Sequence, residues 1–174
     1  FREKGYAATS MRDLAKEVGI EPASLYNHIP SKEAILHEIC FQMADAFFEA
    51  LEKIDPFQAS SEKALREAIH SHIEVIVQNL DASQVFFTEW RFLSEPELSN
   101  FKSLRRNYEA GFRRILEVGQ GKGEFDFPDL KLTLFTIFSA LNATYDLYKP
   151  KSGYNADQIA LEIGDIIIHG IKKP

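Results

Sequence analysis

Apolar residues recur at helical spacing along the whole chain, and no stretch shows the alternation expected of a strand. Met11, Leu14, Ala15 and Val18 fall at i, i+3, i+4 and i+7, which predicts a short helix with one face turned to a core. Ser10 is placed to cap that helix, with Asp13 three residues on where the acid of a capping box belongs. Gly19 follows the last periodic residue, where a left-handed turn costs glycine least. Pro22 suits the first turn of a second helix, in which Leu25 and Ile29 point inward. Ser31 then opens a long helix, with apolar positions from Ile35 to Ile54, that ends before Asp55-Pro56. Further helices are expected at 61–80, at 82–93 (Asp81 with Gln84 as cap), and at 95–118 (Ser94 with Glu97), stopped by Gly119, Gly121 and Gly123. Asp126-Phe127-Pro128 opens another at 129–148, broken by Pro150 and Gly153, and Asn155 with Gln158 caps the last at 156–171.

Two short helices at a tight turn make a helix-turn-helix, whose second helix enters the major groove of DNA. Ser24, Tyr26, Asn27 and His28 are left pointing outward from that helix. Ser24 and Asn27 carry hydroxyl and amide groups that pair with base edges. Thr9 and Ser10, with a helix N-terminus behind them, suit a phosphate. Ser10 serves equally as a cap alone and Tyr26 as a packing residue, and the pattern leaves both open. The fold class expected is all-α: an N-terminal helix-turn-helix DNA-binding domain at 1–45, then a helical effector-binding and dimerisation domain at 46–174.

The ordered run Gly5-Tyr6, Thr9, Leu14-Ala15, Gly19-Ile20, Leu25-Tyr26-Asn27-His28-Ile29, Ser31-Lys32-Glu33 and Leu36 resembles the tetracycline-repressor (TetR) family of bacterial regulators. Glu21, Pro22 and Ile29 depart from the usual string. The resemblance implies that Tyr26, His28 and Lys32 hold phosphates, which position the protein while base contacts specify sequence. It also implies a longer first helix ahead of Phe1 than the truncated one read here. Its members dimerise through two C-terminal helices, here 129–148 and 156–171. Physical reasoning agrees, because one such reader makes few contacts and two copies roughly 34–36 Å apart read a palindromic operator.

Net charge is −6 for 174 residues, an unpromising balance for a DNA binder. Residues 1–32 hold five basic and four acidic residues, so the acidity belongs to the remainder. With 45% hydrophobic and 12% aromatic content the chain can fill a core. The single cysteine, Cys40, permits no internal disulfide, fits a bacterial cytoplasm and reads as a buried spacer. No apolar run reaches membrane-spanning length and none reads as a signal peptide, so no membrane partner is expected.

Aromatic residues crowd the middle of the chain. Phe86, Trp90 and Leu93 form one stripe, Phe87 and Arg91 the next, and Phe101, Tyr108 and Phe112 follow. Phe135, Phe138, Asn142 and Tyr145 are placed to face them. Aromatic walls with a few polar groups suit a small-molecule pocket, and equally an ordinary core. Lys102, Arg106 and Arg113 share a helical face, and arginine forks suit phosphates. Glu109, four residues from Arg105 and from Arg113, offers surface ion pairs as the plainer explanation.

Phe87, Glu89-Trp90-Arg91, Arg106, Tyr108-Glu109, Phe112-Arg113, Gly121, Gly123, Phe125, Ala140-Leu141-Asn142, Thr144-Tyr145, Tyr148 and Pro150 together resemble a subgroup of the family. Its members repress fatty-acid, phenylacetate or sterol catabolism and leave DNA on binding an acyl-CoA. Ala143 and Asp146 stand where relatives often carry Trp and Arg. The resemblance implies a homodimeric repressor released by a CoA thioester, with Phe86, Trp90, Arg91, Arg106, Tyr108, Phe112, Arg113, Phe138, Asn142 and Tyr145 at the ligand. The alternative is a free lipid, aromatic or cationic drug, for which Glu89, Glu109 and Asp146 would supply the acids. No cofactor and no metal are expected: His70 and His72 are two apart and face different ways on a helix. No Gly-x-Ser-x-Gly, His-Glu-x-x-His or Walker loop occurs, so an enzyme is not expected.

Overall fold

Local signals set most helix boundaries in the computed structural model, which describes residues 1–149 and 153–173. Nine α-helices are seen among them: α1 (Met11–Glu17), α2 (Pro22–His28), α3 (Lys32–Leu51), α4 (Ser61–Gln78), α5 (Leu80–Thr88), α6 (Glu97–Gly121), α7 (Leu130–Asn142), α8 (Thr144–Leu147) and α9 (Ala156–Ile171). A single 3-10 turn spans Trp90–Phe92. Capping boxes form at Ser10 with Asp13 and at Asn155 with Gln158. The Ser10 bonds also hold the Asp13 carboxyl below its usual range. Gly19 takes the left-handed φ of +72° that the turn requires.

Several boundaries differ from the sequence expectation. The long helix stops at Leu51, short of Ile54. The helix expected at 82–93 starts earlier, at Leu80, and gives way after Thr88 to the 3-10 turn. Asp81 and Gln84 do not cap it; both engage the Arg2 side chain instead. The following helix opens at Glu97 and not at 95, and runs through Gly119 to Gly121. Only Gly123, at φ +73°, marks the turn that ends it. Gly119 has another role, because a Cβ there would lie 2.2 Å from Phe125 Cδ2. The helix expected at 129–148 is capped by Asp129 rather than opened by Asp126, and breaks at Ala143 into α7 and α8. Pro150, read as its breaker, lies outside the described residues.

The chain forms two compact units, each discontinuous in sequence. The first holds 1–44 and 81–104. Met11, Ala15 and Leu25 make its small core between α1 and α2, with Leu14, Ile29 and Ile35 packed against it. Val18, expected inward, is 64% exposed: a seven-residue helix ends before that position can turn back to the core. The leading segment is tied to 81–92. Tyr6 N–H donates to Glu89 Oε2 at 3.1 Å, the Tyr6 ring lies 5.2 Å from that of Phe92, and Arg2 pairs with Asp81. Cys40 is fully buried, which pushes its thiol up to about 12 and leaves it inert.

The second unit holds 45–80 and 105–174, in which α4 packs chiefly on α9. The start of α4 and the end of α9 are clasped by the segment after α6. Glu124 accepts from Ser61 N at 2.8 Å and from the Ser61 hydroxyl at 3.3 Å. Lys173 N donates to Glu124 O, and Lys172 Nζ pairs with Glu62 at 2.8 Å, drawing the Glu62 carboxyl below its usual range. Glu124→Ala should lower unfolding free energy by about 1–3 kcal/mol, the usual cost of orphaned buried donors. Urea titration checks this, and an unchanged midpoint would show the clasp to be idle. Among the described residues no helix is long and apolar enough to cross a membrane.

Candidate functional site

Two surfaces bring expected site residues together. On the first unit, Ser24, Tyr26, Asn27 and His28 are all exposed along α2 and its end, with Tyr26 at 54%. The inward anchors Leu25 and Ile29 leave them no other direction. Beside them a cleft of about 440 Å³ is lined by Thr9, Ser10, Tyr26, Ser31 and Lys32, among others. Thr9 is buried, and its hydroxyl donates to Gly5 O at 2.7 Å. The Lys32 ammonium donates to Tyr6 O at 3.0 Å and Thr9 O at 3.1 Å, and lies 4.3 Å from the Tyr6 ring centre. Two of its three protons are thus committed to backbone, a structural duty the sequence did not show.

The residues expected at a ligand divide between the two units. Phe86, Trp90 and Arg91 belong to the first. Phe86 and Trp90 lie 5.2 and 5.9 Å from the buried Phe101 ring, and the Arg91 guanidinium lies over Trp90 at 4.8 Å. Arg106, Tyr108, Phe112, Arg113, Phe138, Asn142 and Tyr145 belong to the second. There a groove of about 320 Å³ runs between α6 and α7, lined by Arg105, Glu109, Arg113, Lys131, Leu134, Phe135, Phe138, Ser139 and Asn142. Arg113, Phe138 and Asn142 were anticipated at such a site; Arg106 and Tyr145 do not line it, and Lys131 was overlooked. Neither Arg113 nor Lys131 has an ion-pair partner among the described residues, Glu109 included.

Behind the groove wall lies a polar group that the spacing pattern passed over. His72 is 2% exposed on the apolar face of α4, among Leu65, Ile69, Ile73 and Ile76. Its Nδ1 is 3.0 Å from the Tyr108 hydroxyl. Its ring stacks on Phe47 at 4.6 Å and meets Phe112 and Phe138 edge-on at 6.4 and 6.1 Å. Burial drives the imidazole down to about 3, against the opposing influence of the adjoining Asn142 amide. The Tyr108 phenol is raised, also by burial. Both groups are therefore neutral across the physiological range. Asn142 Oδ1 is buried, and its amide is the side-chain hydrogen-bond partner of His72. An apolar-face histidine with a tyrosine on a facing helix was the available signal.

Among the described residues no group of three or more His, Cys, Asp or Glu could hold a metal ion. The profile for bacterial regulatory proteins of the tetR family matches residues 1–39, and that described as Tetracyclin repressor-like, C-terminal domain, matches 58–171. The chain is 26% identical to the HTH-type transcriptional repressor KstR2 of Rhodococcus jostii, spanning 100% of this chain and 86% of that protein. The solved KstR2 of Mycobacterium tuberculosis, a ketosteroid transcriptional regulator, matches with a TM-score of 0.93 and 26% identity over 100% of this chain and 90% of that one. PfmR, a TetR family transcriptional regulator of Thermus thermophilus, matches with a TM-score of 0.86 and 31% identity over 98% and 93%. AibR, solved with isovaleryl coenzyme A and operator DNA, shares the fold at a TM-score of 0.80 and 21% identity, over 94% of this chain and 89% of that one.

Proposed function

The chain belongs to the tetracycline-repressor family as a ligand-responsive repressor, and from that premise we propose that a CoA thioester is the effector that releases it from its operator. The observation that carries the reading is the α6–α7 groove. Arg113 and Lys131, without acidic partners among the described residues, stand on it beside Phe135 and Phe138. Cations and aromatic rings on one groove suit a ligand that carries both phosphates and an acyl group. A cationic drug would meet Arg105, Arg113 and Lys131 against the single carboxylate of Glu109, so the balance of charge favours the thioester over the drug. In AibR this fold is seen with isovaleryl coenzyme A and operator DNA. KstR2 is itself a repressor.

At the DNA, Ser24 and Asn27 would read base edges, while Tyr26, His28 and the remaining Lys32 proton hold phosphates, with Thr9 and Ser10 lining the cleft beside them. Two copies paired through α7 and α9 would place two such readers on a palindrome. The thioester acts by binding one conformer better than another, and α3, continuous from the first unit into the second, is the covalent path for the change.

Arg113→Ala with Lys131→Ala should raise the thioester concentration that frees operator DNA by about 10- to 100-fold, from lost charge-assisted bonds of roughly 1.5–3 kcal/mol. Affinity for DNA without effector should stay unchanged. Mobility shift with an acyl-CoA series checks both halves, and unchanged release in the double variant would refute the assignment.

A further inference from the structure

The opening residues of α2 carry a negative charge that has no role in holding phosphates. A helix-turn-helix presents the first residues of its second helix to base edges, while its first helix crosses the DNA backbone. In this chain that stretch is Glu21, Pro22, Ala23 and Ser24. Pro22 and Ala23 have no side-chain donor or acceptor, so Glu21 and Ser24 are the polar side chains there. Both are exposed. The backbone of Glu21 is held in place, because its carbonyl accepts from Ser24 N at 2.9 Å and from Leu25 N at 3.2 Å. The turn before it is tied by Ile20 N donating to Ala15 O at 3.0 Å. A polar side chain at this position ordinarily folds back to cap its own helix, as Ser10, Ser60 and Asn155 do on α1, α4 and α9. Glu21 makes no such bond, and among the described residues its carboxylate has no ion pair.

Electrostatics narrows what that carboxylate can meet on DNA. Phosphates repel it, and when ionised it offers acceptors only. In the major groove guanine shows two acceptors, and thymine shows an acceptor beside a methyl group. Adenine sets an acceptor next to its amino group, which would face the second carboxylate oxygen. Cytosine shows its amino donor alone.

We infer that Glu21 is a specificity-determining residue, accepting from the N4 amino group of a cytosine in each half-site. This rests on the reading of α2 as the groove helix and adds a base to what that helix recognises. The same charge weakens binding to sequences that offer no donor there, so Glu21 selects by rejection as well as by contact.

The test enriches bound duplexes from a pool randomised over both half-sites, using the purified protein, Glu21→Gln and Glu21→Ala. The unaltered protein should enrich cytosine at one position of each half-site. Glu21→Gln should move that position toward adenine, whose N6 and N7 suit an amide. Glu21→Ala should cut the preference for cytosine there tenfold or more, leave the other positions as they were, and tighten binding to unrelated DNA. One consensus shared by all three proteins, or a change at a position where the unaltered protein takes no cytosine, would overturn the inference and leave the reader standing. Loss of preference at every position in both variants would also overturn it, by making Glu21 a structural residue. No sequence enriched by the unaltered protein would overturn reader and inference together.

Discussion

Leu132→Asp combined with Ile166→Asp should turn the protein into a monomer and weaken its hold on a two-half-site operator by about 100- to 10,000-fold, the range lost when linked binding becomes independent. Leu132 and Ile166 are 64% and 74% exposed on α7 and α9, alongside Phe135 at 70% and Leu161 at 57%. Scattered exposed apolar residues need no explanation, but Leu132 and Phe135, one turn apart on α7, and Ile166 on the adjacent α9 mark a surface suited to a partner, whereas Leu161 faces the cleft between α4 and α9. A second copy of the same face would cover it under two-fold symmetry, the commonest arrangement of soluble oligomers. Neither substituted residue lines the α6–α7 groove, but Phe135 belongs to both surfaces, so thioester binding is to be measured beside the mass. Sedimentation equilibrium gives the mass, and anisotropy on half-site and full-site DNA gives the two affinities. A dimer persisting in the double variant would move the interface elsewhere.

The second large effect is a loss of stability in acid that belongs to one residue. His72 titrates near 6.5 when unfolded, but its folded value is depressed to about 3. The unfolded chain therefore binds a proton that the native protein refuses, and stability present above about pH 6.5 is lost as pH falls toward 3. At roughly 1.4 kcal/mol per unit the loss approaches about 5 kcal/mol, comparable with the whole stability of many domains. His72→Phe should flatten this limb by about one proton. The variant starts about 1–3 kcal/mol lower at neutral pH, because Tyr108 loses its partner. The two stability curves should then cross in moderate acid. Urea unfolding from pH 7 to pH 4 would show it; parallel curves would mean that the native imidazole takes up its proton as readily as the unfolded one.

The sequence was most legible where a structure depends on neighbours within a few residues. Ser10 with Asp13, Gly19, Pro22, and Asn155 with Gln158 all act as their spacing implies, because a cap or a turn is settled over about one helical turn. It was least legible where a distant residue intervenes. Asp81 and Gln84 have the spacing of a cap, yet Arg2 from the chain start takes both. Gly119 looks like a helix stop, yet it is helical and makes room for Phe125. Ala143 gives no local warning of the break between α7 and α8. At the candidate site the spacing pointed to Arg113, Phe138 and Asn142, but a period of 3.6 cannot tell which of Arg105 and Arg106 lies toward α7. It also could not reveal His72, whose meaning depends on Tyr108 from another helix.

The tie between Tyr6 and the 81–92 stretch bears on how such proteins diversify. Glu89 receives the Tyr6 backbone, Phe92 meets its ring and Asp81 holds Arg2, so the DNA reader rests on residues encoded some eighty positions away. Exchanging only the first 45 residues with those of a relative would give the new reader a foreign seat. A chimera that carries 81–92 along with the reader keeps its own seat. Recombination that alters which operator is recognised therefore has two stretches of gene to move together, and relatives that share a reader should resemble one another at 81–92 more than in the rest of the effector-binding half.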